Sequence, residues 1–453
     1  MIKKCVIANR GEIAARIIRT CHKQGITAVA VYSEADRGAP FVSLADESYF
    51  IGPSRVQESY LNADKIMSVA EKSHADAIHP GYGFLSENGA FADKCEAAGI
   101  RFIGPSGNVI ETMGDKIAAR EAMEQAGVPV VPGTDGAVQS AEEAIQAASD
   151  IGYPVMLKAS AGGGGIGMQA VDSADALTKA FESNSKRART FFGNGAMFME
   201  KKLANARHIE IQLLADNYGN AVHLFERECS IQRRNQKVIE EAPSPVLSEQ
   251  TRQKMGDAAV KAAKTLGYAS AGTIEFMVDE QENFYFLEMN TRIQVEHPVT
   301  EEITGLDIVK LQILIAEGEQ LPFTQDSITR NGHAIEARIY AEDPDTFLPS
   351  PGYISEFKPP EGSKIRNELT VTKDFDVTPF YDPLIGKLIA KGSDRQEAIK
   401  LLQEALRDYR VDGIKTNIPL LMEILGHEQF AKGNTTTAFV ENYYLTNEKS
   451  NQR

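Results

Sequence analysis

The pattern that most narrows the possible folds of this chain lies in residues 3–36. The stretch KKCVIANRGEIAARIIRTCHKQGITAVAVYSEAD predicts a buried strand, a tight turn at Gly11, an amphipathic helix and a second buried strand. Ile13, Ile17 and Ile18 recur at helical spacing and mark the buried side of that helix. Two consecutive strands joined by a crossover helix run parallel. The chain therefore begins with a βαβ unit.

The same alternation continues to about Met113. It passes through HADAIHPGYGFLSEN, a helix at 91–98 and the short strand IRFIG. This recurrence predicts a parallel sheet with helices on its faces. Ligands of such sheets collect at the carboxyl ends of the strands, which is where the segment 79–83, His-Pro-Gly-Tyr-Gly, is expected.

After residue 113 the pattern of alternating parallel strands and helices ends. A helix is expected from Lys116, with Asp115 as its N-cap and Gly127 near its end. The residues alternate with a period of two over 208–216 and 269–294, which predicts antiparallel sheet with intervening helices. From residue 331 onward, mixed strands and turns are expected, closing with a helix at 395–409. A length of 453 residues fits about three domains.

Composition excludes several classes of protein. The chain is 42% hydrophobic and 25% charged, which is ordinary for a globular protein, and its formal net charge is −15. An acidic chain lacks the general electrostatic footprint of a nucleic-acid or anionic-membrane binder. No apolar run approaches the roughly 18 residues of a membrane helix. We therefore expect a cytoplasmic protein with no nucleic-acid or membrane partner.

Four cysteines are scattered along the chain without a C-x-x-C pair, at positions 5, 21, 95 and 229. This spacing argues against a zinc ribbon, a redox dithiol or a disulfide framework. Buried free thiols are expected instead.

A glycine run at 162–167 formally satisfies G-x-G-x-x-G, but it is followed by the strand-like MQAV rather than by a helix. The sequence does not match the P-loop pattern either, because Met168 occupies the position where Lys-Ser or Lys-Thr is required. Two interpretations stay open: a lid that folds over a triphosphate, or an ordinary surface hairpin. Lys158 on the preceding strand and Lys116 favour the first, since either could pair with phosphate, although both could be solvated.

The segment AGTIEFMVDEQENFYFLEMNTRIQVEH predicts a hairpin. If a four-residue loop separates Asp279 from Phe284, Glu275 lies directly opposite Glu288. Two facing carboxylates destabilise a hairpin unless a positive charge lies between them. Magnesium would fit, with Asn290 on the same face as Glu288. The alternative is a solvated edge with another register.

The polar face of this segment is predicted to continue in steps of two from Glu288 to Glu296, with apolar side chains opposite. A stripe that holds both charges suits an anionic substrate with a base beside a metal, although a solvent-facing strand could look the same. The basic run 232–237 is a solvated loop unless it closes over the same anion. His208 could be an ordinary sheet residue.

Seven segments occur in an order that resembles biotin carboxylase, a branch of the ATP-grasp superfamily. They are ANRGEIAARI, HPGYGFLSEN, KASAGGGGIGM, ERECSIQRRNQK, EMNTRIQVEHPVTE, EARIYAEDP and GIKTN. The resemblance implies an ATP-grasp fold, α/β and α+β, with a Rossmann-like N-terminal domain at 1–113. It implies an ATP-grasp domain at 114–330 that includes a lid at about 131–203, and a C-terminal mixed α/β domain at 331–446.

The implied activity is an ATP-dependent carboxylation of biotin. Bicarbonate is phosphorylated to carboxyphosphate, which yields CO2, and the ureido nitrogen of biotin is then carboxylated. The implied cofactors are ATP and Mg2+ or Mn2+. The positions that match ATP-contacting residues are Lys116, Lys158, Gly163, Gly164, Gly165, Glu200, Lys201, Leu203 and His208, with Gln232 near the ribose.

The resemblance also assigns the remaining site. Glu275, Glu288 and Asn290 match the metal site, in agreement with the hairpin argument. Arg338 matches the cation that stabilises the biotin enolate, and Tyr82 lines the approach of biotin. Glu296 is the expected general base, and Lys237 and Arg292 join Glu296 and Arg338 as expected catalytic residues. The positions that match the bicarbonate pocket are Lys237, Arg292, Gln294, Val295 and Glu296.

Two positions depart from the family pattern. Ile166 replaces an arginine that is common in the glycine loop, which puts the electrostatics of the lid in doubt, and Asn235 replaces a histidine, which puts nucleotide affinity in doubt. The resemblance implies a homodimer, with Arg16 and Arg19 at positions implicated in its interface. Because no Ala-Met-Lys-Met sequence is present, biotin is expected on a separate biotin carboxyl carrier protein. Carboxyltransferase subunits are the other expected partners.

The most favoured pathway is the acetyl-CoA carboxylase reaction of fatty acid synthesis. Three alternatives stay open: a biotin carboxylase of another acyl-CoA or pyruvate carboxylase, a carboxylate-amine ligase of the ATP-grasp superfamily, and a nucleotide-binding regulator.

Overall fold

The computed structural model describes residues 1–134, 136–160, 168–203 and 205–445. The N-terminal part alternates strands with helices. Its elements are β1 Lys4–Ile7, α1 Gly11–Lys23, β2 Thr27–Ser33, α2 Pro40–Leu44, β3 Glu47–Gly52, α3 Ala63–Ser73, β4 Ala77–His79, α4 Gly89–Ala97, β5 Arg101–Phe102 and α5 Gly107–Gly114.

The predicted parallel sheet is confirmed. Its order is β3-β2-β1-β4-β5, and every described pair is parallel. Helix α1 begins at Gly11, whose φ of 64° favours glycine at this turn. Ile13, Ile17 and Ile18 are buried, as the helical spacing predicts. Tyr82 follows β4, so the predicted ligand loop lies at the carboxyl end of a strand.

A smaller unit follows. Its elements are α6 Lys116–Gln125, α7 Ala141–Ile151, β6 Val155–Ala159, β7 Gln169–Val171, α8 Ala174–Phe192 and β8 Met197–Lys201. The side chain of Asp115 accepts hydrogen bonds from the amides of Ile117 and Ala118, so the predicted N-cap is confirmed. The three strands form an antiparallel sheet in the order β7-β6-β8. The glycine run and Ile166 lie outside the described residues.

The largest sheet has eight strands, all antiparallel, and begins in the middle of the chain. The elements of this part are β9 Arg207–Ala215, β10 Ala221–Arg233, β11 Gln236–Ala242, α9 Glu249–Thr265, β12 Ser270–Val278, β13 Phe284–Asn290, α10 His297–Thr304 and α11 Ile308–Ala316. The antiparallel arrangement agrees with the period of two in the sequence.

The C-terminal part completes that sheet. Its elements are β14 His333–Tyr340, β15 Gly352–Ile354, β16 Glu356–Lys358, β17 Ile365–Leu369, β18 Phe375–Val377, β19 Leu384–Gly392, α12 Arg395–Asp408, β20 Arg410–Asp412, α13 Ile418–Gly426 and α14 Glu428–Ala431. The eight strands run in the order β13-β12-β9-β10-β11-β14-β19-β17. They therefore include strands on both sides of residue 330.

One expectation about this part is wrong. The sequence was expected to close with the helix at 395–409, but α13 and α14 follow α12, and a π-helical turn spans Glu441–Leu445. None of the helices within the described ranges is long and apolar enough to cross a membrane.

The two faces of the large sheet differ in chemistry. Ile209, Ile211 and Leu213 of β9 are buried in an apolar core with Met255 of α9. The alternate residues His208, Glu210 and Gln212 of the same strand are polar and also buried. We call this second face the polar floor; its members are His208, Glu210, Gln212, Arg227, Lys237, Glu240, Glu275 and Arg338.

Candidate active site

The predicted pairing of two glutamates in the β12–β13 hairpin is confirmed, because Glu275 lies directly opposite Glu288. The turn differs from the expectation. Five residues, 279–283, separate the strands, and a β-bulge shifts the register so that Phe276 pairs with Phe286. The bulge absorbs the extra loop residue and leaves the two carboxylates facing each other.

The polar stripe is not one long strand. Strand β13 ends at Asn290, and residues 291–296 lead into α10, whose N-cap is Glu296. The stripe residues still converge, by side-chain contacts. The amide nitrogens of Asn290 and Gln294 lie 2.9 and 2.8 Å from Glu275 Oε1, and Arg292 Nη2 donates to Asn290 Oδ1 at 2.8 Å.

Lys237 lies at the centre of the polar floor. Its ammonium donates to Glu210 Oε2 at 2.7 Å, Glu275 Oε1 at 2.9 Å and Glu296 Oε1 at 2.6 Å. These bonds use all three donors of the ammonium. Burial alone lowers the pKa of Lys237, but the three carboxylates outweigh it and raise that pKa well above its ordinary value. The lysine is therefore a fixed cation.

Glu296 is held ionised by two cations. Its second oxygen lies 3.1 Å from Arg338 Nη2. Burial raises the pKa of the Glu296 carboxyl, but Lys237 and Arg338 outweigh burial and hold that pKa below its ordinary value. Glu240 Oε1 accepts from Arg338 Nε at 2.5 Å and also pairs with Nη2, and burial raises the pKa of Glu240 to about 7.

Arg227 is a residue of the site that the sequence argument missed. Its fully buried guanidinium uses all five donors: Nε binds Glu210 at 2.5 Å, and Nη2 binds Gln294 Oε1 at 2.6 Å. The other three bonds go to Gln212, Thr273 and Thr300. Arg227 thus fixes Gln294 and Glu210 from beneath.

His208 and Gln232 lie together at one end of the polar floor. Gln232 Nε2 lies 2.9 Å from His208 Nδ1 and donates to the carbonyl of Cys229. His208 Nε2 lies 3.0 Å from Glu275 Oε2. Arg292 closes the opposite side through an ion pair of 3.0 Å with Glu87, which follows the Tyr82 loop.

The predicted phosphate-binding residues lie on the smaller unit. Lys158 of β6 pairs with Glu200 of β8, and Lys201 donates to the carbonyls of Gly152 and Tyr153. The pKa of Lys116 is lowered, mainly by burial and secondly by the positive charge of Lys158. The carboxylates of Glu288 and Glu200 raise the same pKa, but by less. Lys116 therefore lies close enough to these three charged groups to interact with them electrostatically. Leu203 is partly buried beside them, and Gly163, Gly164 and Gly165 lie outside the described residues.

The carboxylate pair Glu275 and Glu288 fits a divalent cation. Glu275 is paired with Lys237, which it shares with two other carboxylates, whereas the Glu288 carboxylate has no hydrogen bond or ion pair among the described residues and is exposed. The charge of Glu275 raises the pKa of Glu288. A hard cation held by carboxylate and amide oxygens would relieve that repulsion.

Tyr82 reaches the site through Glu12. The phenol donates to Glu12 Oε1, which also lies 3.1 Å from Lys387 Nζ. Lys387 in turn donates to the carbonyl of Val295 at 2.6 Å. Val295 and Tyr82 are thus joined through two buried charged groups.

The missed residues share a signal in the sequence. Glu210, Arg227 and Glu240 are charged residues inside three strands, and all three are fully buried. Charged side chains are almost never fully buried unless they are paired. Three neighbouring strands with such residues therefore indicate one shared polar face.

Three family models match the chain in order. The model described as biotin carboxylase, N-terminal domain, matches residues 1–110, and the biotin carboxylase C-terminal domain matches residues 336–442. Between them, the ATP binding domain of the carbamoyl-phosphate synthase L chain matches residues 115–324. Biotin carboxylase 2 of Bacillus subtilis (strain 168) is 62% identical over 443 residues, which are 98% of this chain and 100% of that relative. The chain belongs to the biotin carboxylase family.

Solved structures of biotin carboxylases agree. One from Campylobacter jejuni, described as a complex with β-γ-ATP, is 49% identical, with a TM-score of 0.95 over 98% of this chain and 99% of that one. A second is the biotin carboxylase domain dimer of the Hydrogenobacter thermophilus 2-oxoglutarate carboxylase. It is described with MgADP, ADP and bicarbonate, and is 51% identical, with a TM-score of 0.94 over 98% of both chains.

These similarities confirm two predictions from the sequence. The fold is an ATP-grasp fold with an N-terminal parallel α/β domain. The chain is an ATP-dependent biotin carboxylase.

Proposed function

We propose that the polar floor activates bicarbonate for ATP-dependent carboxylation of biotin. An oxygen of bicarbonate attacks the γ-phosphorus of ATP, ADP leaves, and the resulting carboxyphosphate yields CO2 and phosphate. The ureido nitrogen of biotin then loses its proton to the released phosphate and takes up the CO2. The observation that carries this proposal is the Lys237–Glu296–Arg338 arrangement, in which two fixed cations hold one ionised carboxylate.

Bicarbonate would bind among Lys237, Arg292, Gln294 and Val295, beside Glu296. The cations neutralise the substrate, and Glu296 accepts its proton as the general base. A base must be ionised to act, and the lowered pKa of Glu296 ensures this at neutral pH. Because Arg227 and Lys237 fix these groups before the substrate arrives, little reorganisation is needed.

Mg2+ or Mn2+ would be held by Glu275, Glu288 and Asn290. Such an ion, when bound, neutralises charge on the phosphates of ATP. The exposed carboxylate of Glu288, raised in pKa by Glu275, is the feature of this chain that supports the assignment.

The nucleotide would lie between the polar floor and the smaller unit. Lys116 and Lys158 supply point charges for the phosphates. Gln232 and His208, which contact each other, lie on the floor side. The other residues that we assign to the nucleotide are Glu200, Lys201, Leu203, Gly163, Gly164 and Gly165.

Biotin would approach along Tyr82 and place its ureido oxygen at Arg338. Negative charge develops on that oxygen as the nitrogen reacts, and a buried guanidinium stabilises it. Arg338 is buried and lies within reach of Glu296, so the base and the cation serve adjacent steps.

We propose that biotin arrives on a biotin carboxyl carrier protein, that carboxyltransferase subunits complete the reaction, and that acetyl-CoA is the acceptor, in fatty acid synthesis. Pyruvate or another acyl-CoA is the alternative acceptor. Buried, unpaired cysteines fit the reducing cytoplasm.

A homodimer through the N-terminal domain is also proposed. Arg19 of α1 is partly exposed and could contribute to the interface, whereas Arg16 is buried and donates to Glu301 and Asp307 within the chain.

The deciding experiment mixes the purified chain with biotinylated carrier, ATP, magnesium and labelled bicarbonate. We expect label on the carrier, and ATP hydrolysis that depends on bicarbonate and is stimulated by free biotin. Arg338→Gln should lower carboxylation by about 10²-fold and should lower biotin-independent ATP hydrolysis less, because the enolate charge exists only when biotin reacts. The exposed Arg407→Gln is the control. ATP-dependent joining of a carboxylate to an amine through an acyl phosphate, with release of ADP and phosphate and without labelled carrier, would instead identify a carboxylate-amine ligase.

A further inference from the structure

Lys387 is a fully buried lysine that the reaction described above does not use. It lies on β19, and its side chain and that of Glu12 are 0% and 1% exposed. Burying an ammonium is costly unless it is paired and hydrogen-bonded. A lysine retained in such a place must therefore make contacts that offset this cost.

Its contacts reach two other parts of the chain. Nζ donates to the carbonyl oxygen of Val295 at 2.6 Å and lies 3.1 Å from Glu12 Oε1 of α1. Glu12 also accepts the hydroxyl of Tyr82. Lys387 thus ties the segment before α10 to the N-terminal domain.

The register of the sheet places Lys387 directly opposite Arg338 on the neighbouring strand. Directly opposite residues share a face and lie close together. Arg338 pairs with the carboxylate of Glu296, while Lys387 binds the carbonyl of the residue before it. Two adjacent strands therefore hold the consecutive residues Val295 and Glu296.

The covalent geometry makes this contact relevant to the base. The Val295 carbonyl and the Glu296 amide belong to one planar peptide unit. Fixing that carbonyl fixes the plane and hence the Cα of Glu296, from which the carboxylate projects. Arg338 and Lys237 hold the far end of the same side chain.

We propose that Lys387 is a positioning residue for bicarbonate activation: it fixes the Val295–Glu296 peptide and so aims the carboxylate of Glu296. This inference rests on the proposed function. It predicts that loss of Lys387 impairs the bicarbonate step and spares nucleotide binding, because its contacts are with Val295, the residue before Glu296, and with Glu12, and neither is assigned to the nucleotide.

The test compares Lys387→Met with Lys391→Met, which changes a partly buried lysine on the same strand. Bicarbonate-dependent ATP hydrolysis is measured with each substrate varied in turn. For Lys387→Met, kcat/KM for bicarbonate should fall by about 10²-fold, the usual effect of a misplaced reactive group, while KM for ATP changes by less than about 2-fold. Lys391→Met should match the parent in both.

A second variant separates positioning from stability. Lys387→Met leaves Glu12 buried without its cation, so the single variant could fold poorly. The double variant Glu12→Gln with Lys387→Met removes that unpaired charge and retains an acceptor for Tyr82. It should melt closer to the parent and still show the low kcat/KM for bicarbonate.

Two results would overturn the inference: a parent-like kcat/KM for bicarbonate in the folded double variant, or a KM for ATP that changes as strongly as kcat/KM for bicarbonate. Failure of the parent itself to hydrolyse ATP in a bicarbonate-dependent way would instead overturn the proposed function.

Discussion

The polar floor and the predicted lid, residues 131–203, both hold lysine–glutamate pairs, but they hold them differently. On the floor, Lys237 binds three carboxylates that three different segments supply. In the lid, Lys158 pairs with Glu200 on the adjacent strand, and outside the lid Lys116 has no ion pair within the described part of the chain. The charged groups of the floor thus hold one another in place without a ligand, which suits the bicarbonate site proposed there. The nucleotide side leaves cationic charge for phosphates to neutralise.

This contrast predicts that floor variants change chemistry and that lid variants change nucleotide affinity. The largest effect is expected for Glu288→Gln, on the floor edge. It removes charge from the proposed metal site without removing packing, so ATP turnover should fall by about 10³-fold or more while the protein still folds. Steady-state hydrolysis over a magnesium titration, beside circular dichroism, measures this. The exposed Glu361→Gln is the control, and an unchanged magnesium requirement in an active Glu288→Gln enzyme would contradict the metal assignment.

The next effect concerns the base. Glu296→Ala should lower carboxylation of biotin by about 10² to 10⁴-fold, the usual contribution of a positioned general base, with little change in ATP binding. Transfer of labelled bicarbonate and equilibrium nucleotide binding are measured on the same preparation. Glu404→Ala, on the exposed side of α12, serves for comparison. A carboxylation rate at the parent level would remove Glu296 from the mechanism.

For the lid, Lys158→Met should raise KM for ATP by about 10 to 100-fold, since hydrogen bonds to charged groups contribute about 1.5–3 kcal/mol. KM for bicarbonate should stay near the parent value. The exposed Lys186→Met on α8 is the matched control. If Lys158→Met changed the bicarbonate constant as strongly as the ATP constant, the distinction between the two regions would fail.

The smallest effect is one of stability. Burial raises the pKa of Glu228 on β10 from 4.5 to about 7. Between these values the folded state binds more protons than the unfolded state, so stability falls as pH rises through this window. Glu228→Gln cannot ionise. Relative to the parent, it should gain about 2 kcal/mol in the free energy of unfolding between pH 4.5 and pH 8.

Urea denaturation at the two pH values measures this gain, with the exposed Glu182→Gln on α8 as the comparison from the lid. A constant difference between Glu228→Gln and the parent at both pH values would show that Glu228 does not titrate in this window.

Local patterns were enough to predict part of this structure. The apolar runs and the turn at Gly11 predict the parallel sheet, Asp115 predicts the start of α6, and the alternation around the hairpin predicts that Glu275 faces Glu288. Each of these features is decided by residues that lie close together in the chain or by a short-range pairing.

The errors involve competition between local patterns. Alternation to Glu296 predicted a continuing strand, but Pro298 near the start of α10 marks a helix instead. The short apolar run of α13 carries the same signal, with Pro419 in its first turn. The β-bulge between Glu275 and Phe276 could not be predicted, because no glycine at that position marks it.

Contacts between distant segments could not be predicted at all. Arg227 binds side chains from three other strands or loops and from α10. The residues next to Arg227 in the sequence do not indicate which side chains it will bind. The same holds for Lys387, whose contact with Glu12 joins residues that are far apart in the chain.

The reactivity of the four cysteines can report local opening in different regions of the molecule. All are buried and unpaired: Cys5, Cys21 and Cys95 lie in the N-terminal domain, and Cys229 lies on β10 beside the polar floor, within 4.8 Å of carboxylate oxygens of Glu210 and Glu296. A thiol reagent can reach such a group only when the surrounding structure opens. The rate at which each cysteine is alkylated under native conditions therefore reports how often its own region opens. A ligand that slows the labelling of Cys229 alone must tighten the floor without changing the N-terminal sheet.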